Sequence, residues 1–89
     1  MLHWEVLKVP WRVIAHGDQV WHVDAVAERP ANTISWQLAL SFRAASAQSR
    51  GRALWTKYPL EATSKTSLFI QAEGIPDTVL SELLAERLA

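Results

Sequence analysis

Residues 33–43 read Thr33-Ile34-Ser35-Trp36-Gln37-Leu38-Ala39-Leu40-Ser41-Phe42-Arg43, and the stretch alternates without a break. Ile34, Trp36, Leu38, Leu40 and Phe42 fall on one side, and Thr33, Ser35, Gln37, Ala39, Ser41 and Arg43 on the other. Side chains of an extended chain point to opposite faces with period two, so this stretch predicts a strand with one dry and one wet face.

Two further strands are expected before it. Residues 11–15 and 20–28 flank His16-Gly17-Asp18-Gln19, where Gly and Asp suit a tight hairpin turn. Trp21, Val23, Ala25 and Ala27 form the apolar side of the second strand, and Trp11, Val13 and Ala15 that of the first. A two-residue Gly17-Asp18 loop sets Trp21 opposite Ile14 and splits the two apolar sets between faces. A three-residue loop, residues 17–19, pairs Ala15 with Trp21 and Val13 with Val23 and unites them. A one-residue slip inverts every side chain, so burial favours the three-residue loop. With residues 29–32 as the next turn, Ala27 faces Ile34, Ala25 faces Trp36, Val23 faces Leu38 and Trp21 faces Leu40. Trp11, Trp21 and Trp36 are then expected in one core.

Residues 3–9, closed by Pro10, suit an edge strand, and residues 44–52 are small and polar and suit a long hairpin loop. A fourth strand is expected at 53–58, ended or kinked by Pro59, and a fifth at 67–73. Pro76 and Asp77 open a helix in which Val79, Leu80, Leu83, Leu84 and Leu88 recur at helical spacing. The expected architecture is a single small α+β domain over residues 1–89. It is an antiparallel β-meander of four to six strands, with one C-terminal amphipathic helix packed on its apolar face.

The chain has 89 residues and zero net charge, unevenly spread. Residues 1–28 carry a balance of −2, residues 29–65 of +5, and residues 66–89 of −3. The basic middle contains Arg43, Arg50, Arg52, Lys57 and Lys65, with Trp55 among them. Trp55 and Lys57 share the odd side of the fourth strand; if the even side is buried, Trp55 is exposed beside cations. An exposed Trp flanked by cations suits a protein partner or the bases of a single-stranded nucleic acid.

Other chemistry has less support. The chain has no cysteine, which excludes disulfides and thiolate metal sites. It has no Gly-x-Ser-x-Gly elbow, and Gly17, Gly51 and Gly74 are too scattered for a phosphate loop. In the three-residue-loop register His16, His22 and Asp24 share the wet face and form a weak metal set, which a pair between Arg12 and Asp24 would equally explain. No apolar run approaches the ~18 residues that span a bilayer, and the first residues lack the pattern of a signal peptide, so the expected location is the cytoplasm.

The sequence therefore points to a non-enzymatic, cofactor-free binding module. Its expected partner is a protein, engaged through Arg43, Arg50, Arg52, Trp55 and Lys57. Single-stranded nucleic acid on the same patch is the alternative, and a metal at His16, His22 and Asp24 comes third. Val20 and Val26 on the wet face, together with the sheet edges, leave a route to a homodimer.

Overall fold

The computed structural model describes residues 9–45 and 53–89. Four strands, β1 (Arg12–His16), β2 (Gln19–Glu28), β3 (Trp36–Ala44) and β4 (Leu54–Ala62), form an antiparallel sheet in the order β1-β2-β3-β4. Two helices follow, α1 (Lys65–Ala72) and α2 (Asp77–Leu88). The α+β meander expected from the sequence is present. The edge strand expected at 3–9 and the loop expected at 44–52 fall mostly outside the described residues.

Phe42, Leu38, Leu40 and Val23 from the sheet, Leu68 and Ala72 from α1, and Leu80 and Leu84 from α2 share one buried cluster. Two helices, rather than the one expected, thus contribute residues to that cluster. Residues 67–73, expected as a fifth strand, lie largely in α1. The Ser64 hydroxyl accepts from the Ser67 backbone N–H at 3.1 Å and caps the helix start. The four-residue spacing of Leu68 and Ala72 then puts both into the core. Leu88, expected on the apolar stripe of the last helix, is 47% exposed near the end of α2.

The registers differ from those expected, for local reasons. β1 and β2 join through the two-residue loop Gly17-Asp18, pairing His16 with Gln19 and Ile14 with Trp21. Gly17 has φ +64 and Asp18 is not left-handed, the φ pattern of a type II′ turn, whose twist suits a hairpin. The three-residue register would have buried Val13; instead Ile14 is buried, and Val13 is 53% exposed. β2 and β3 keep the expected facing but slide by four residues, so that Val23 meets Phe42 and Ala25 meets Leu40. Residues 29–35 form the connection, with Asn32 at φ 65 and the Thr33 hydroxyl donating to the Pro30 carbonyl at 2.9 Å. Asn tolerates that left-handed conformation, which lets the loop be longer than four residues. Ile34 consequently lies outside the strand and is 75% exposed. Trp11, Trp21 and Trp36, expected as core, are half-buried and pack against the margin of the cluster.

β4 does not stop at Pro59. It continues to Ala62, with a pairing irregularity where Gln37 meets Glu61 and Leu38 meets Tyr58. Pro59 and Leu60 are the residues between, where a missing N–H removes no ladder bond. No helix among the described residues is long and apolar enough to cross a membrane.

Arg12 ties the first strand to the helices. In the observed register it shares the side of Ile14, and its guanidinium donates to the carbonyls of Ile75 at 2.8 Å and Glu73 at 3.0 Å. It also donates to the Asp77 carboxylate at 2.8 Å. These bonds satisfy carbonyls where the chain leaves α1 and place a cation beside the first residue of α2.

Candidate functional site on the polar face of the sheet

The face of the sheet opposite the buried cluster is built from alternate residues of each strand. Val13 lies opposite His22. His22 lies opposite Arg43, Asp24 opposite Ser41, and Val26 opposite Ala39. Ser41 and Ala39 in turn lie opposite Trp55 and Lys57. Four strands therefore present a grid whose middle row is Asp24, Ser41 and Trp55.

Along β4 the even residues Leu54, Thr56 and Tyr58 are half-buried, and the odd residues Trp55 and Lys57 are exposed. Trp55 is 49% exposed, well above the tryptophans that pack on the core. Arg43 is exposed on the adjacent strand. The structure thus brings Arg43, Trp55 and Lys57 onto one face. Arg50 and Arg52 lie outside the described residues.

Ser41 and Ala39 are 4% and 3% exposed although they belong to the polar face. Small side chains overshadowed by larger neighbours leave recesses, and two hollows meet at Trp55. One, of about 440 Å³, is bounded by Pro10, His22, Asp24, Ser41, Arg43 and Trp55. The other, of about 400 Å³, is bounded by Glu28, Ala39, Trp55, Lys57 and Arg87. Arg87 of α2 is a contributor that the sequence reading missed. Its helical phase marks it only as off the apolar stripe, and no local signal ties a residue of the last helix turn to β4.

The tight hairpin turn also dismantles the metal set. His16 shares the side of Ile14 and of the core, whereas His22 and Asp24 point to the polar face. The expected pair between Arg12 and Asp24 does not form either, because Arg12 lies opposite Val23 and binds Asp77. Among the described residues no group of three His, Cys, Asp or Glu is arranged to hold a metal ion.

A second aromatic and basic corner lies at the far end of β3. The Arg29 guanidinium and the Lys65 ammonium stand 5.3 Å and 5.2 Å from the centroid of the Trp36 ring. At these distances each cation is attracted to the ring quadrupole, so both are already engaged within the fold.

No protein-family model, no curated protein and no solved structure matches this chain, so the functional argument rests on its own residues.

Proposed function

We propose that this chain is a non-enzymatic binding module, acting in the cytoplasm, that engages another protein through the polar face of its sheet. Trp55 is the apolar anchor. Arg43 and Lys57 flank it, and Arg50 and Arg52, five and three residues before it in the chain and outside the described residues, are further candidate contacts. In this reading α2 is an amphipathic cover over the apolar face, which leaves the polar face as the working surface. The observation that carries the reading is the 49% exposure of Trp55 near the start of a paired strand, beside two recesses. A rigid aromatic side chain next to a recess and rimmed by cations suits a binding hot spot, since Trp and Arg dominate such sites.

The test is co-purification from the source cell, comparing the wild-type chain with Trp55→Ala and with Lys57→Ala by quantitative mass spectrometry. A protein retained by the wild type and lost with Trp55→Ala supports the reading. An unchanged set of retained proteins overturns it.

Single-stranded nucleic acid is the second reading, favoured by the position of Lys57 and Arg87 in the same hollow as the Trp55 ring. It requires affinity for a generic oligonucleotide that falls steeply with added salt and is lost with Trp55→Ala. Absence of binding at low salt removes it.

A further inference from the structure

We infer that the polar face docks against the same face of a second copy of this chain, about a two-fold axis running close to Val13 and Trp55. This rests on the reading of that face as a protein-binding surface and names one occupant for it.

A two-fold contact folds a patch onto itself, so each charge must meet its opposite at the mirrored position. Asp24 and Arg43 stand diagonally on neighbouring strands, one paired with Ser41 and the other with His22. Among the described residues neither takes part in an ion pair. The line midway between them follows the opposite diagonal of the grid: Val13, His22, Ser41, Trp55, one residue from each strand. With strands ~4.8 Å apart and alternate residues ~6.7 Å apart, all four lie within about 2 Å of that line. An axis laid there sets Asp24 against Arg43 of the second copy, and Arg43 against its Asp24.

The same axis brings Val13 and Trp55 each against its own counterpart. They are 53% and 49% exposed, and Ser41, at 4%, floors the recess bounded by His22 and Trp55. Asp24 and Arg43 are opposite in sign and exchange places across this axis, so the pair complements itself in a second copy.

Strands of five, ten, nine and nine residues present a face smaller than roughly 19 by 30 Å. That is less than the ~800 Å² per partner of a stable interface, so the dimer is weak. Because it covers Trp55, self-association and capture of another protein compete for the same ring.

Sedimentation velocity on the intact chain, from about 10 μM to about 1 mM, reads the equilibrium directly. The wild type is expected to pass from monomer to dimer across that range. Asp24→Arg alone and Arg43→Asp alone each weaken the dimer at least about tenfold, since both symmetric contacts become like-charged. An equimolar mixture of the two variants restores it, because both contacts are then opposite in sign. A wild type monomeric throughout, single variants that dimerise like the wild type, or a mixture that does not recover, overturns the proposal. Circular dichroism reports whether each variant is folded. If a reversal unfolds the chain, Asp24→Asn and Arg43→Gln take its place, each expected to weaken the dimer, and an unchanged dimer then counts against the proposal. Loss of the dimer model leaves capture of a different protein through Trp55 standing, and failure of that capture leaves the charge-swap result standing.

Discussion

The two faces of β3 carry the same backbone and opposite duties. Leu38, Leu40 and Phe42 are buried in one cluster with residues of both helices, and Phe42 is 0% exposed. Ala39, Ser41 and Arg43 alternate with them and line a surface with recesses, a half-exposed Trp55 and charges of both signs. One face is closed because large apolar groups interlock there. The other is open because small groups at its centre leave larger neighbours standing around hollows. Stability should therefore depend on the first face and recognition on the second, and each can be perturbed alone.

The largest effect is expected on the closed face. Phe42→Ala removes the largest fully buried side chain and leaves a cavity beside Val23, costing about 3–5 kcal/mol. Urea denaturation reads this as a lower midpoint, or as a chain that does not fold, since a domain of this size has only ~5–10 kcal/mol to lose. A loss below about 1 kcal/mol would mean that the closed face is not the stabilising one.

A smaller effect belongs to the clamp between β1 and the helices. Arg12→Ala breaks charge-assisted bonds to the carbonyls of Glu73 and Ile75 and the pair with Asp77, for a loss of about 1–3 kcal/mol. Arg12→Lys should recover only part of it, because one ammonium cannot reproduce the three-way fork. Asp77→Asn should cost less than about 1 kcal/mol, since that carboxylate is 64% exposed and screened by water. Equal losses for Arg12→Ala and Asp77→Asn would show that the ion pair, rather than the carbonyl bonds, sustains the clamp.

The smallest stability effect falls on the open face. Trp55→Ala is expected to shift stability by less than about 1 kcal/mol while removing partner binding, separating the two roles of the sheet. A drop as large as that of Phe42→Ala would make Trp55 a structural residue and erase the distinction between the faces.

Much of this contrast is legible in the sequence, because alternation assigns a face without knowing which residue lies opposite. The facing of Trp21, Val23, Leu38, Leu40 and Phe42 follows from period two alone. The pairing does not, since a slide of four residues preserves every face; only the length of the loop around Asn32 sets it. The β1–β2 turn misleads for the converse reason. The most apolar pattern favours burying Val13, whereas the Gly17-Asp18 geometry buries Ile14 and frees Arg12 to reach α1. The three-residue apolar run Leu68, Phe69 and Ile70 fits a strand or a helix equally, and the decisive signal is the capping hydroxyl of Ser64. At the candidate site, the exposure of Trp55 follows once the even side of β4 is known to be buried. The approach of Arg87 depends on where α2 ends, which no local pattern encodes.

Pro59 bears on how this chain avoids the wrong kind of assembly. β4 is an edge of the described sheet, and such an edge invites a neighbouring molecule to add a strand and propagate into fibres. Pro59 offers no amide hydrogen, and the offset between Tyr58 and Glu61 breaks the straight run on which a foreign strand would zip. Growth along that margin is interrupted midway, which favours encounters that end in closed, countable complexes over open-ended polymerisation.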